Sequence, residues 1–106
     1  MIRKAFMIQA KKGMSEEYIN RHNPVWPDLE KTLKAHGVSN YSIFLNEATE
    51  TLFGYLEVAD EELFNRIGDT DVCRNWWRYM TEVLVCESEE SGKAKEDILI
   101  EIFHLV

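Results

Sequence analysis

The spacing of apolar residues divides the chain into strand-like and helix-like segments. Ile2, Phe6 and Ile8 lie in a loosely alternating stretch, which predicts a first strand over residues 3–10, followed by the turn KKGM. From residue 14 the period changes to three or four, and the positions on this stripe are Met14, Tyr18, His22, Val25, Leu29 and Leu33. The stripe ends at Gly37, as expected of a helix C-cap, so the pattern predicts helical structure over 15–36.

Two prolines predict a break inside this helical region. Ser15 stands in a capping position, with acidic residues in the turn after it. Pro24 disfavours the α conformation at Asn23 and removes a backbone donor, whereas Pro27 suits the first turn of a second helical segment. His22 is therefore expected in the last turn before a kink, on the inward face, where backbone carbonyls are left free.

The second half of the chain predicts a hairpin, two helices and a last strand. VSNYSIFLN (38–46) and ETLFGYLEV (50–58) are strand-like and are joined by EAT, which is short enough for an antiparallel hairpin. Residues 60–68 form a short amphipathic pattern capped by Asp60, and residues 71–84 form another whose inward positions are Val72, Trp76, Tyr79, Met80 and Val83. The polar segment 86–97 is expected to be a loop, and ILIEIFHLV (98–106) a fourth strand that is apolar on both faces.

The order of these elements predicts the fold class. Strand, helix, strand, strand, helix, strand is the split βαβ order of the ferredoxin-like α+β fold, βαββαβ with an antiparallel sheet. Helices on one face of a four-stranded sheet leave the other face uncovered, and its apolar residues need a partner. We therefore expect a homodimer packed sheet to sheet, an assembly of the dimeric α/β-barrel type.

Composition and charge narrow the range of partners. The 106 residues are 45% hydrophobic and 29% charged, which predicts one globular domain over 1–106. A net charge of −7 disfavours nucleic acid and anionic membrane surfaces as partners. No apolar run is long enough for a membrane span or signal peptide, so a cytoplasmic location is expected. Cys73 and Cys86 are expected to be reduced, structural thiols.

Two groups of aromatic and titratable residues are candidates for a site. Tyr18 and His22 share one helical face, either as a binding phenol with a proton-transferring imidazole or as packed core residues. Trp76 and Trp77 point about 100° apart on a helix, so either one indole packs while the other borders an opening, or the pair simply belongs to a bulky core helix. Tyr41 is expected on one strand face with Ile43 and Leu45, where it belongs either to the core or to the same cavity as Tyr18.

Other chemistries find no support in the pattern. His22, His36 and His104 lack the spacing of metal ligands, so no metal is assigned. The chain has no glycine-rich phosphate loop, no G-x-S-x-G motif and no paired cysteine and histidine signature. Phosphoryl transfer and covalent acyl chemistry are therefore not expected.

Three motifs in order resemble one protein family along nearly the whole chain. RHNPVWP (21–27), NYSIFL (40–45) and TDVCRNWWRYMTEV (70–83), with the opening MIRKAF, closely resemble the L-rhamnose mutarotase family. The resemblance implies a dimeric ferredoxin-like protein that interconverts the anomers of L-rhamnose without cofactor or metal. It places the acid/base histidine at His22 and the sugar-binding residues at Tyr18, Tyr41, Trp76 and Trp77. The acidic loop 86–97 is the part least like the family.

Two alternatives of other classes remain open at this level. A cofactor-free monooxygenase of the dimeric α/β-barrel kind shares the fold and also favours tryptophan and histidine in its cavity. A non-catalytic sugar-binding module predicts saturable binding without faster anomer exchange. Oxygen consumption with an aromatic substrate and NMR measurement of anomer exchange separate the three.

Overall fold

The computed structural model describes all residues from 1 to 106 and contains four strands and four α-helices. In chain order the elements are β1 (Ile2–Gln9), α1 (Ser15–Arg21), α2 (Pro27–Ala35), β2 (Val38–Asn46), β3 (Thr51–Val58), α3 (Glu61–Asn65), a 3-10 helix (Arg66–Asp69), α4 (Asp71–Met80) and β4 (Asp97–Leu99). The first three strands lie within one residue of the predicted bounds. None of the helices combines the length and apolar character that crossing a membrane needs.

The strands form one antiparallel sheet in the order β2-β3-β1-β4. β1 pairs with β3 along its whole length, from Ile2 opposite Val58 to Gln9 opposite Thr51. Because β3 lies between β1 and β2, the two strands joined by α1 and α2, this is the split βαβ arrangement of the ferredoxin-like fold. The predicted α+β ferredoxin-like class, with an antiparallel sheet, is confirmed.

The helical region breaks where the prolines predicted it. α1 ends at Arg21, and Pro27 is the first residue of α2, where its missing N–H costs no helical bond. The last turn of α1 is tight, because the N–H of His22 donates to the carbonyl of Ile19, three residues back, at 3.0 Å. The carbonyl of Tyr18, four residues back, is therefore free for another donor.

The expected capping role of Ser15 is wrong, because the cap comes from elsewhere in the chain. Met14 occupies the N-cap position, and no side chain of the helix caps α1. Instead the carboxylate of Glu50, in the turn between β2 and β3, accepts hydrogen bonds from the N–H of Gly13 (2.9 Å) and from both the N–H and the hydroxyl of Ser15. The hairpin turn thus fixes the start of α1.

A β-bulge in β2 decides which residues face the helices. Ser39 lies opposite Glu57 and Ser42 opposite Tyr55, so two residues of β2 oppose the single Leu56. The extra residue shifts the alternation by one position, with Asn40 in the left-handed region at φ 48°. After the bulge, the side chains of residues 41, 43 and 45 point toward the helices, where regular alternation from Ser39 would have turned Tyr41 away.

The later helices begin as predicted and end differently. The side chain of Asp60 accepts from the N–H of Leu63 at 3.1 Å and caps α3, which continues as the 3-10 helix instead of closing at Gly68. The sequence pattern predicts that α4 reaches residue 84, but the helix ends at Met80. The chain beyond it bonds to the end of β1 instead, through Lys11 N–H to Val83 (2.9 Å) and Val85 N–H to Gln9 (2.8 Å).

The fourth strand is much shorter than the predicted 98–106. β4 covers Asp97–Leu99, and the following residues belong to no strand. Continuing the register of Ala5 opposite Leu99 would place residue 102 opposite Ile2, where β1 begins, so the last residues have no strand of this chain beside them. A side-chain pair holds the segment near β1, because the Arg3 guanidinium binds both carboxylate oxygens of Glu101 at 2.7 and 2.9 Å.

The core lies between the helices and one face of the sheet. Its buried side chains come from the sheet, from α1, α2, the 3-10 helix and α4, and from the segments after β1 and α4: Ile8, Ala10, Leu52, Tyr18, Leu29, Ile67, Cys73, Trp76, Met80, Val83 and Leu84. The opposite sheet face carries Met7, Phe44, Phe53 and Leu99, and nothing in this chain covers it: Phe44 is 64% exposed. The predicted uncovered face is confirmed.

Candidate functional site

A cavity of about 1040 Å³ lies between the helices and the inner face of the sheet. It receives side chains from α1, α2, α4, β1, β2 and the segment just before β4. The five residues that the sequence singled out all line it: Tyr18, His22, Tyr41, Trp76 and Trp77. Ile43 and Leu45 line it beside Tyr41, which confirms that these three residues share a face.

The imidazole of His22 is held by one nitrogen and free at the other. Its Nδ1 lies 2.8 Å from the carbonyl oxygen of Tyr18, the carbonyl that the tight last turn of α1 leaves without a helical donor. Because a carbonyl only accepts hydrogen bonds, Nδ1 must carry the proton, and Nε2 of the neutral ring keeps its lone pair. The backbone therefore selects the tautomer whose Nε2 is a base.

The surroundings of His22 favour this neutral form. Burial lowers the pKa of His22 below its ordinary value, and the hydrogen bond to the Tyr18 carbonyl opposes the shift only in part. The ring packs at 4.4 Å between centroids against Tyr18 and at 5.2 Å, nearly perpendicular, against Trp76. At neutral pH the group is thus an oriented, unprotonated imidazole in an aromatic setting, a state suited to accepting a proton.

Two phenol groups offer hydrogen bonds in the same cavity. Burial raises the pKa of both Tyr18 and Tyr41, so both hydroxyls stay protonated and can each donate and accept. The Tyr18 hydroxyl makes no hydrogen bond within the chain and is not among the fully buried polar atoms. Because Tyr18 lines the cavity, its hydroxyl opens to that space. Tyr41 reaches the cavity from the opposite side, because the β2 bulge turns it inward.

A glycine makes room for the ring that supports Tyr41. A Cβ atom added at Gly54 would lie 2.1 Å from the Phe6 ring, so the Phe6 ring lies directly on the backbone of β3. The same ring contacts Tyr41 edge to face, with centroids 6.2 Å apart. The position of Tyr41 thus depends on the missing side chain of Gly54.

The two indoles differ in burial, as their angular offset on α4 predicted. Trp76 is 8% exposed and packs edge-on against Trp26 at 4.9 Å between centroids. Trp77 is half-buried, and Lys93 Nζ lies 4.4 Å from the centre of its ring. Trp76 is therefore part of the core with one edge at the cavity, whereas Trp77 forms the rim.

Sequence reasoning missed the charged residues that the segment before β4 brings to the cavity. Lys93 and Glu96, from the segment read only as a polar loop, line the cavity, and the charge of Glu96 also raises the pKa of Tyr41. Nothing local marks these two among the neighbouring charges, because their position follows from the pairing of β4 with β1. No group of three or more His, Cys, Asp or Glu side chains in the structure is arranged to hold a metal ion.

Comparisons with known proteins agree on one family. The family model for L-rhamnose mutarotase matches residues 3–105. A protein named L-rhamnose mutarotase from Shigella flexneri serotype 5b is 48% identical over 105 residues, covering 99% of each chain. The crystal structure of an L-rhamnose mutarotase from Formosa agariphila superposes with a TM-score of 0.86 at 30% identity, covering both chains completely. A dimeric ferredoxin-like protein from an uncultured marine organism, at 14% identity and a TM-score of 0.57 over 97% of this chain and 96% of its own, shows the fold alone.

Proposed function

The chain belongs to the L-rhamnose mutarotase family. We propose that its cavity binds L-rhamnose and that His22 transfers the proton needed to interconvert the α and β anomers. The protein is an isomerase that acts on a carbohydrate at C1, and the reaction belongs to rhamnose metabolism. The observation that carries the assignment of His22 is its locked tautomer, with Nδ1 on the Tyr18 carbonyl and a basic Nε2 in a cavity with two free phenols.

The reaction needs one proton removed and one delivered. As the C1–O5 bond of the pyranose breaks, the anomeric hydroxyl loses its proton, the ring oxygen gains one, and C1 becomes an aldehyde carbon. Rotation about C1–C2 and closure of O5 on the other carbonyl face give the second anomer. The proton removed and the proton delivered leave no net change, so a single group that acts first as a base and then as an acid can carry out both transfers.

His22 fits this alternating role. Neutral Nε2 accepts the proton of the anomeric hydroxyl, and the imidazolium or a cavity water then gives a proton to the ring oxygen, which is bonded to the same carbon. The Nδ1–H bond to the Tyr18 carbonyl persists in both charge states, so the ring keeps its orientation through the cycle. Closure of the ring reverses the transfers.

The remaining predicted residues bind and orient the sugar. The hydroxyls of Tyr18 and Tyr41 hydrogen-bond to sugar hydroxyls from two sides of the cavity. The indoles of Trp76 and Trp77 supply apolar surface for the C–H face and the methyl group of the deoxysugar. The lining is mostly apolar, which suits a sugar that lacks one hydroxyl.

NMR exchange measurement with a matched pair of histidine variants tests the function. Saturation transfer between anomer signals, over a panel of aldoses, should show catalysed exchange with L-rhamnose. His22→Ala should abolish it. His36→Ala is the control, because Nδ1 of His36 also bonds a carbonyl four residues back, that of Thr32 at 2.7 Å, yet the ring does not line the cavity. Full activity in His22→Ala would remove the proposed role of His22.

The protein acts as a homodimer in this proposal. Phe44 and Phe53 lie side by side on the uncovered sheet face, and the apolar residues after β4 are also exposed, Phe103 by 78%. Contiguous apolar surface of this kind on a sheet is covered by a partner in a stable protein, here a second copy packed sheet to sheet. Light scattering should give about twice the chain mass of 12.4 kDa, and Phe44→Glu should shift it toward the monomer. A monomeric parent protein would refute the assembly.

The two alternatives from the sequence lose their support. A monooxygenase shares only the fold, and a binding module would not need a histidine with a fixed tautomer. The relatives that match over nearly the whole chain are named for mutarotation. The expected cytoplasmic location rests on the sequence argument given above.

A further inference from the structure

Three side chains that do not line the cavity connect the end of α1 to the end of α4. They are Arg21, Trp26 and Tyr79. Arg21 immediately precedes His22, and Tyr79 lies three residues after Trp76 on α4, so the connection joins the two helix ends from which His22 and Trp76 project.

Arg21 is the centre of the polar part of this connection. Its Nη1 donates to the carbonyl oxygen of Tyr79 at 2.8 Å, and its guanidinium lies 4.1 Å from the centre of the Tyr79 ring. Glu17 accepts from Nε at 2.7 Å, and Glu82 lies 3.0 Å from Nη1. The Arg21 side chain is only 12% exposed, and a planar guanidinium with these contacts is fixed in place to an extent that lysine cannot reproduce.

The aromatic part leads from Tyr79 to the imidazole. The Tyr79 ring stacks on Trp26 at 24° with centroids 5.4 Å apart. Both rings contact Trp76, at 5.9 Å from Tyr79 and 4.9 Å from Trp26. Trp76 in turn meets His22 edge-on at 5.2 Å. Trp76 is therefore enclosed on one side by rings outside the cavity and presses against the imidazole on the other.

We propose that Arg21, Tyr79 and Trp26 are positioning residues that act on His22 through Trp76. A ring held by one hydrogen bond still pivots about that bond, and here the edge of Trp76 limits the pivot. Arg21 fixes the end of α1 to α4, and the Tyr79–Trp26 pair fixes Trp76, so Nε2 stays in one direction in the cavity. The proposal rests on the role of His22 proposed above.

Arginine variants test the positioning role. Arg21→Met removes the contacts with Tyr79, Glu17 and Glu82 without touching the cavity. Arg74→Met is the control, because Arg74 on α4 also donates to a backbone carbonyl, that of Gly68 at 2.7 Å, but makes no cation–π contact. We expect Arg21→Met to lower kcat about tenfold or more with KM within about twofold of the parent value, since small misplacement of a reacting group is costly. Arg74→Met should match the parent protein.

Tyrosine variants and the His22 resonances complete the test. Tyr79→Phe should retain kcat, because the Tyr79 hydroxyl makes no hydrogen bond, whereas Tyr79→Leu should lower it. The imidazole proton signals of His22 should move in Arg21→Met and Tyr79→Leu but not in Tyr79→Phe, because the ring current of Trp76 acts on them. If Tyr79→Leu does not fold, Arg21→Met decides alone.

The failures of the two proposals are distinguishable. Unchanged kcat and unchanged His22 signals in Arg21→Met would overturn the positioning role, as would a rise in KM alone. The same assay measures anomer exchange in the parent protein and its loss in His22→Ala. The proposed function is therefore tested independently of the Arg21→Met result.

Discussion

Truncation of the two adjacent indoles should separate stability from sugar binding. Trp76 is 8% exposed and contacts the rings of His22, Trp26 and Tyr79, so Trp76→Ala leaves a cavity in the core and removes three aromatic contacts. Truncation of a buried large aromatic costs about 3 to 5 kcal/mol. The whole free energy of unfolding of such a domain is about 5 to 15 kcal/mol, so this one change removes a large share of it.

Trp77 should behave differently because it stands at the rim. Its ring packs over Gly68, where an added Cβ would lie 3.6 Å away, and beside Lys93, but it is only half-buried. Trp77→Ala should therefore cost less than Trp76→Ala in the free energy of unfolding. The loss of a ring contact with the sugar should weaken rhamnose affinity by roughly 1 kcal/mol, or about fivefold in Kd.

Urea denaturation and NMR titration measure the two effects separately. We expect a midpoint for Trp76→Ala well below that of Trp77→Ala, with Trp76→Phe between the Trp76→Ala variant and the parent. Rhamnose titration of folded Trp77→Ala should show the weaker binding. Equal midpoints for the two alanine variants would contradict the difference in packing. Unaltered saturation by rhamnose in both variants would remove the indoles from the site.

Three further outcomes follow from the site and its supports. Because burial lowers the pKa of His22, exchange should rise with pH through a pKa below the ordinary histidine value of about 6.5 and then level off. On acidification the unfolded chain binds this proton before the folded protein does, so stability should fall as pH drops below about 6.5, and this fall should weaken in His22→Ala. Gly54→Ala should displace Phe6, lowering the thermal midpoint and rhamnose affinity together, and a parent-like midpoint would show that the ring moves freely. Glu50→Gln should lower the thermal midpoint more than the same change at Glu47, which caps nothing, and this gap should close on acidification, because hydrogen bonding lowers the pKa of Glu50 and its stabilisation is lost as pH falls through that value.

Local patterns were enough to predict most of the backbone. The bounds of β2 and the break between α1 and α2 follow from alternation, turn residues and proline, which act over a few neighbouring positions. The gathering of Tyr18 and His22 follows from helical spacing. These features depend on short-range sterics and periodicity, so the sequence alone carries them.

The errors concern contacts between distant parts of the chain. The cap of α1 comes from Glu50, 35 residues after Ser15, and α4 ends early because its following residues bond to β1. The predicted strand 98–106 is too long, because the residues after 102 would lie beyond the start of β1. Lys93 reaches the cavity because the pairing of β4 with β1 places the preceding segment there. Each outcome depends on the register of the sheet, which no local pattern specifies.

The bulge in β2 also affects how the sheet meets other chains. β2 is an edge strand, and an edge with a regular row of free N–H and C=O groups invites another strand to pair with it and so promotes aggregation. The extra residue between Ser39 and Ser42 interrupts that row and bends the strand. A deletion of Asn40 should therefore leave Tyr41 on the inner face, opposite Leu56, and restore a regular edge that makes the protein more prone to form edge-to-edge aggregates.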